Sequence, residues 1–210
     1  MFGRHAFAWA YLGCYLAAGL TWTLLTPGAQ ATLTAWASTN VANLEHEPVG
    51  PLLLSAFVGP GNLLPWVALI ALAVFGANRA LGNARTALIC AAGHVIGSLA
   101  SEGIVAYRVD AGQLPATDRY LTDVGPSYVV VSAIVIAVMC GTWLIRAAAA
   151  IDFAVLVIGG HIFGGLSHLE VAAVGHLTAL VTAAAAVTLT LARRRSRGPL
   201  LVRATRDTVR

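Results

Sequence analysis

Apolar residues in this chain fall into long runs broken by short polar stretches. The first covers residues 6–25, close to the ~20 residues a helix needs to cross a bilayer core. Arg4 before it and Ala29-Gln30-Ala31 after it outline a secretory signal. Signal cores span only about 7–15 residues, so the run is read as a retained helix. Residues 26–60 are too interrupted to span, with Pro27, Gly28, Ser38-Thr39-Asn40, Glu45 and Glu47 ahead of an apolar Leu52 to Val58. They predict a long external loop carrying one or two short interfacial helices, a level that suits Trp36. Further spans are expected over 62–78, with Pro65 tolerated in the first turn, and over 86–105, 126–145, 147–164 and 170–192. Residues 79–85 form a basic turn, 106–124 a polar loop and 165–168 a tight turn. The pattern predicts an all-α integral membrane protein, a bundle of six transmembrane helices over 1–192 followed by an Arg-rich tail over 193–210.

Composition agrees. The 210 residues are 58% hydrophobic and 10% charged, with mean hydropathy +0.78, whereas soluble domains are about a quarter charged. The net charge of +4 is concentrated in Arg193-Arg194-Arg195-Ser196-Arg197 and in Arg203, Arg206 and Arg210. Directly after an apolar run, such a cluster is a cytoplasmic anchor on anionic lipid, and no nucleic-acid partner is expected. Arg4, Arg79, Arg85, Arg146 and the tail lie on one side of six spans, and only Arg108 and Arg119 lie on the other. The positive-inside rule then places both termini in the cytoplasm of a multi-pass plasma-membrane protein. Cys14, Cys90 and Cys140 lie within apolar runs without CxxC spacing and read as small buried hydrophobes.

Depth counting selects candidate chemistry. Ser127 stands 19 residues before Arg146, roughly 28 Å above the cytoplasmic face at 1.5 Å per residue. His176 stands 17 residues before Arg193, roughly 25 Å above it. The two share a level below the external surface, so they form a nucleophile and general-base pair if helices four and six pack together. Small residues favour that packing: Ser132, Ala133 and Ala137 on one helix, and Ala172, Ala173, Ala179, Ala183 and Ala184 on the other. The Ser127 amide, in a first helical turn behind Gly125, is suited to an oxyanion. The bland alternative is a serine that bonds its own backbone; a histidine in a span is costlier and more often functional.

With those residues in place, the chain resembles the rhomboid intramembrane serine proteases over about residues 60–190. The resemblance is carried by Leu81-Gly82, Gly97-Ser98-Leu99-Ala100-Ser101, Gly125-Pro126-Ser127-Tyr128 and Gly175-His176-Leu177-Thr178-Ala179. It implies a six-helix core with a long first external loop, and a Ser127–His176 dyad that cleaves transmembrane substrates near the external face. It also implies no cofactor, with Asn62 and Gly125 supporting the oxyanion. The family's glycine after the serine is Tyr128 here, at the place where substrate backbone approaches. Trp66 replaces a polar partner on helix two, and Trp36-Ala37 stands for a Trp-Arg pair in the first loop. A rhomboid-like protein that binds or escorts membrane helices without cutting them is the rival reading, and a small transporter or channel subunit is a third.

The remaining polar residues are secondary. Glu102, 17 residues beyond Arg85 and roughly 25 Å up, either orients His176, bonds substrate backbone, or simply reaches water. His94 shares its helix. His161, His168 and Glu170 cluster near the last turn, and His94, His161 and His176 lack the facing pair a haem needs, so no metal or cofactor is expected. Asp152 has Arg146 as a candidate partner. The expected partners are the bilayer and a transmembrane substrate or client helix.

Overall fold

A computed structural model describes residues 2–59 and 62–207, without the side chains of Phe2, Arg195 and residues 197–207. The described residues hold nine α-helices and no strand. After a short 3-10 turn, α1 runs Ala6–Leu24. The first loop then carries three short helices, one more than the upper expectation: α2 Pro27–Ala37, α3 Val41–His46 and α4 Val49–Leu54. Their starts follow local rules: Thr26 and Asn40 accept from Ala29 and Asn43 amides, and Pro27 occupies the first turn of α2.

Helix α5 spans Leu63–Leu81 and stops at Gly82, whose φ of +87° turns the chain straight into α6, Asn83–Asp110. At 28 residues, α6 is about 42 Å long and absorbs the first part of the expected 106–124 loop. α7 covers Ser127–Cys140, α8 Trp143–Ala154 continued by a π-helical turn Val155–Gly159, and α9 Val171–Asp207. Of these, α5, α6 and Val171–Arg194 of α9 are long and apolar enough to cross a membrane, and α7 is a shorter apolar helix. The tail expected from 193 continues α9, while residues 208–210 and most of its arginine side chains lie outside the described residues.

The expected fourth helix, 126–145, divides. It ends at Cys140 because Gly141 takes an extended ψ of 164°, and a new helix opens at Trp143. Arg146 therefore lies in α8 rather than at a helix end. Its guanidinium donates to the Gly141 and Met139 carbonyls, which α7 leaves without amide partners. This commits Arg146 and corrects its expected pairing with Asp152, whose buried Oδ2 has no partner. The expected fifth helix ends early as well, at the Gly159-Gly160 step before His161, which has φ +48°.

Helix α7 is apolar on every side, and Tyr128 through Ile134 are all buried, as expected of a helix wrapped by others. It contacts α5, α6, α8 and α9. Small residues set the approach: Ser132, Ala133 and Ala137 are 0% exposed, as are Ala179 and Ala183 on α9, whereas Ala172 is exposed. The end of the first loop dives into this bundle. Tyr11 donates to the Ala56 carbonyl at 3.0 Å, and the Gly125 amide donates to the Ser55 carbonyl at 2.7 Å.

Candidate active site at the buried start of α7

The start of α7 is built by residues far apart in sequence. Thr39, between α2 and α3, donates its amide to the Asp123 carbonyl at 3.0 Å and its hydroxyl to Asp123 Oδ2 at 3.0 Å. The Asp123 amide donates to Ser38 Oγ at 2.9 Å. Two residues on, Gly125 has φ +131°, a conformation side chains rarely adopt. Pro126 caps the helix, where a missing N–H costs nothing. Ser127 is thus the first residue of α7, partly exposed, and its amide belongs to the turn without intrahelical acceptors.

Tyr128 turns the other way. Its ring is 3% exposed and fills a slot between α6 and α9. A Cβ on Gly97 would lie 3.5 Å from Tyr128 Cδ2, and one on Gly175 would lie 2.8 Å from Cε1, with Cζ and Oη closer still. Glycine at both positions makes the slot. The phenol donates to Asp123 Oδ1 or Oδ2, each at 3.2 Å, with Ser101 beside it. The ring meets His176 edge-on, with centroids 4.9 Å apart and planes at 82°, and lies 6.1 Å from the His94 ring. The ring packs inward because two glycines give it room there.

Gly97 lies 13 residues below the Asp110 end of α6, so Tyr128 sits about 20 Å below that end. Ser127 and His176 accordingly share a level near the middle of α6. His176 is 5% exposed, and neither ring nitrogen has a hydrogen-bond partner. The Ala172 and Ile162 carbonyls face the ring without completing a bond. Ser127 and His176 are brought to one depth, then, but are not hydrogen-bonded to each other.

Glu102, five residues and about 7–8 Å above Gly97, is 2% exposed with both oxygens unpartnered. It neither reaches water nor hydrogen-bonds His176. The Val41 amide faces it but falls outside hydrogen-bonding geometry. Burial pushes the Asp123 carboxyl above its ordinary range, against the opposing pull of the Thr39 and Tyr128 bonds. A cavity of about 460 Å³ opens above these groups, lined in part by Val105, Thr122 and Ala172. Asn62 is not there. It sits exposed at the N-cap of α5 and lines a separate cavity of about 190 Å³ with Tyr15, Gly19 and Trp22. Trp66 is half-buried against the core.

One serine–histidine hydrogen bond was not anticipated. Ser55 Oγ lies 3.1 Å from His94 Nε2, which also lies 3.0 Å from the Leu52 carbonyl. A carbonyl accepts only, so the Leu52 contact places the proton on Nε2. That nitrogen is then no base for Ser55, and the pair serves to tie the inserted loop to α6. No local signal links residues 39 positions apart; nor does any link Thr39 to Asp123, 84 positions apart.

Comparison with known proteins adds one finding. A family model described as rhomboid-like protein matches residues 4–196. No curated protein and no solved structure matches the chain.

Proposed function

Because the chain belongs to the rhomboid-like protein family, we propose that it is an intramembrane serine protease with Ser127 as nucleophile and His176 as base. The observation that carries this reading is the ring contact of Tyr128 with His176 at 4.9 Å. It sets an unpartnered imidazole one residue from a serine at an open helix start. In this mechanism His176 takes the Ser127 proton as Oγ bonds to the scissile carbonyl carbon. The Ser127 amide, aided by the α7 dipole, receives the oxyanion, with Gly125 holding that turn in place. The imidazolium returns the proton to the leaving amine as the C–N bond breaks, and water activated by His176 releases the acyl group. Asn62, the second oxyanion donor implied by the resemblance, would have to leave its own cavity. Ser127 Oγ must approach His176 to about 3 Å, which requires the Tyr128 ring to shift. Without an orienting carboxylate on the base, turnover is slow.

In this reading the bundle of α1, α5, α6, α7, α8 with its π turn, and α9 spans the plasma membrane six times with both termini cytoplasmic. The substrate is a transmembrane segment cut near the external face.

A second reading has its own support. The Tyr128 ring is held by Asp123 and by the glycine slot against His176, an arrangement that suits a non-cleaving member which binds or escorts membrane helices. Labelling of purified protein with a serine-reactive fluorophosphonate separates the two. The protease predicts labelling of the wild type that disappears in Ser127→Ala and falls sharply in His176→Ala. An unlabelled wild type, or equal labelling of wild type and Ser127→Ala, would overturn it.

A further inference from the structure

Among the described residues, no arginine pairs with the carboxyl of Glu102 or of Asp123. Glu102 is 2% exposed with neither oxygen hydrogen-bonded. Asp123 lies close enough to repel it, and its own oxygens receive only the Tyr128 and Thr39 hydroxyls. The nearby arginines are engaged elsewhere: Arg119 bridges Glu45 and Asp110, and Arg108 donates to the His168 carbonyl at 2.9 Å. Acidic groups at membrane depth are costly and are ordinarily matched by a partner charge, and two like charges held together raise that cost. The unpartnered carboxyl lies next to an opening. Val105 lines the 460 Å³ cavity one turn above Glu102, Thr122 lines it next to Asp123, and Ala172 lines it one turn above His176. Arg108, Asp118, His168 and Glu170 stand at its wall, Arg108 with its guanidinium on the His168 carbonyl, and Glu102 and Asp123 lie next to lining residues rather than in the lining itself.

We propose that Glu102, assisted by Asp123, is a receptor for a lysine or arginine side chain carried in the outer third of a membrane helix that docks beside α6 and α9. The basic group enters the cavity and seats between the two carboxyls. Glu102 supplies two free acceptor oxygens, and Asp123 keeps the pocket acidic while its own bonds hold the start of α7. The inference deepens the protease reading, since the docked helix is then its substrate; it applies equally to a non-cleaving member. It therefore assigns Glu102 to client selection rather than to the chemistry at Ser127.

The test uses full-length Ser127→Ala protein in lipid nanodiscs, so that no peptide is cut. Fluorescent single-span peptides carry lysine in the outer third, lysine in the cytoplasmic third, or norleucine at both places. The outer-lysine peptide is expected to bind about tenfold or more tightly than the norleucine peptide, as desolvated charge pairs do. The cytoplasmic-lysine peptide should gain nothing. Glu102→Gln, which keeps size and shape, should erase the preference, and Glu102→Asp should restore part of it. Should Glu102→Gln fail to fold, Asp123→Asn with an intact melting transition should weaken the preference instead. Equal binding of outer-lysine and norleucine peptides, or a preference that survives Glu102→Gln, would overturn the proposal. So would a gain independent of lysine depth. Fluorophosphonate labelling of the Ser127 enzyme is scored separately, so loss of the protease reading leaves this result standing, and the reverse holds too.

Discussion

Gly175→Ala is the sharpest probe of how the site is built. An added Cβ would stand 2.8 Å from Tyr128 Cε1 and closer to Cζ and Oη. A phenol end can often swing away from such a clash. Here the ring is boxed in by Gly97 at its Cδ2 edge, His176 at 4.9 Å and His94 at 6.1 Å, and its hydroxyl is tied to Asp123. Overpacking of this kind costs about 1–3 kcal/mol. Losing the phenol–carboxylate bond adds about 1.5–3 kcal/mol if the ring is driven off Asp123. With both contributions, Gly175→Ala should therefore destabilise by roughly 2.5–6 kcal/mol. In a Tyr128→Gly background the obstacle is gone, and the same change removes a glycine from a helix interior, a gain of about 0.5–1 kcal/mol. The sign of the Gly175→Ala effect should thus invert between backgrounds, giving a coupling of several kcal/mol in a double-mutant cycle. Reversible unfolding in detergent micelles measures it. Equal destabilisation in both backgrounds, or no effect beside Tyr128, would show that the ring does not occupy this slot.

Other outcomes follow from the same geometry. Ser55→Ala should retain fluorophosphonate labelling while losing about 1 kcal/mol of stability; loss of labelling would move the nucleophile to Ser55. Burial raises the Asp123 carboxyl, so its contribution to stability is complete below the ordinary aspartate value near 3.9 and is lost as pH rises through its elevated folded value. Asp123→Asn should flatten that decline, and parallel stability–pH curves for the two proteins would contradict the assignment. In a cysteine-free background, an impermeant maleimide applied to intact cells should label Asp118→Cys but reach Ser196→Cys only after lysis; the reverse pattern would invert the proposed topology.

Much of the architecture was legible in the chain because run length and rise per residue are local quantities. The apolar runs marked where α1, α5, α6, α7 and α9 lie, and counting from basic residues set Ser127 and His176 at one level. The anchor was misplaced, since Arg146 sits inside α8 beyond the break at Gly141, so the height of roughly 28 Å counted for Ser127 does not stand. What misled the count was Gly141, which reads as one more small residue in an apolar run, although its extended backbone ends a helix there. The helices themselves carry little rotational signal. α7 is apolar on all faces, so no periodicity indicates that Tyr128 turns inward while Ser127 stays partly exposed.

By itself, then, the sequence determined a helical membrane protein of rhomboid-like kind and its polar first loop. Only the tertiary structure decided which side chain meets the histidine. The Tyr128 slot needs Gly97 and Gly175 from two other helices, and its hydroxyl needs an Asp123 that Thr39 holds from 84 residues away. The lone Glu102 carboxyl likewise becomes conspicuous only after folding, when both its oxygens prove buried and without a hydrogen-bond partner. Whether a polar group is satisfied depends on neighbours distant in sequence, so no local pattern of residues reveals it.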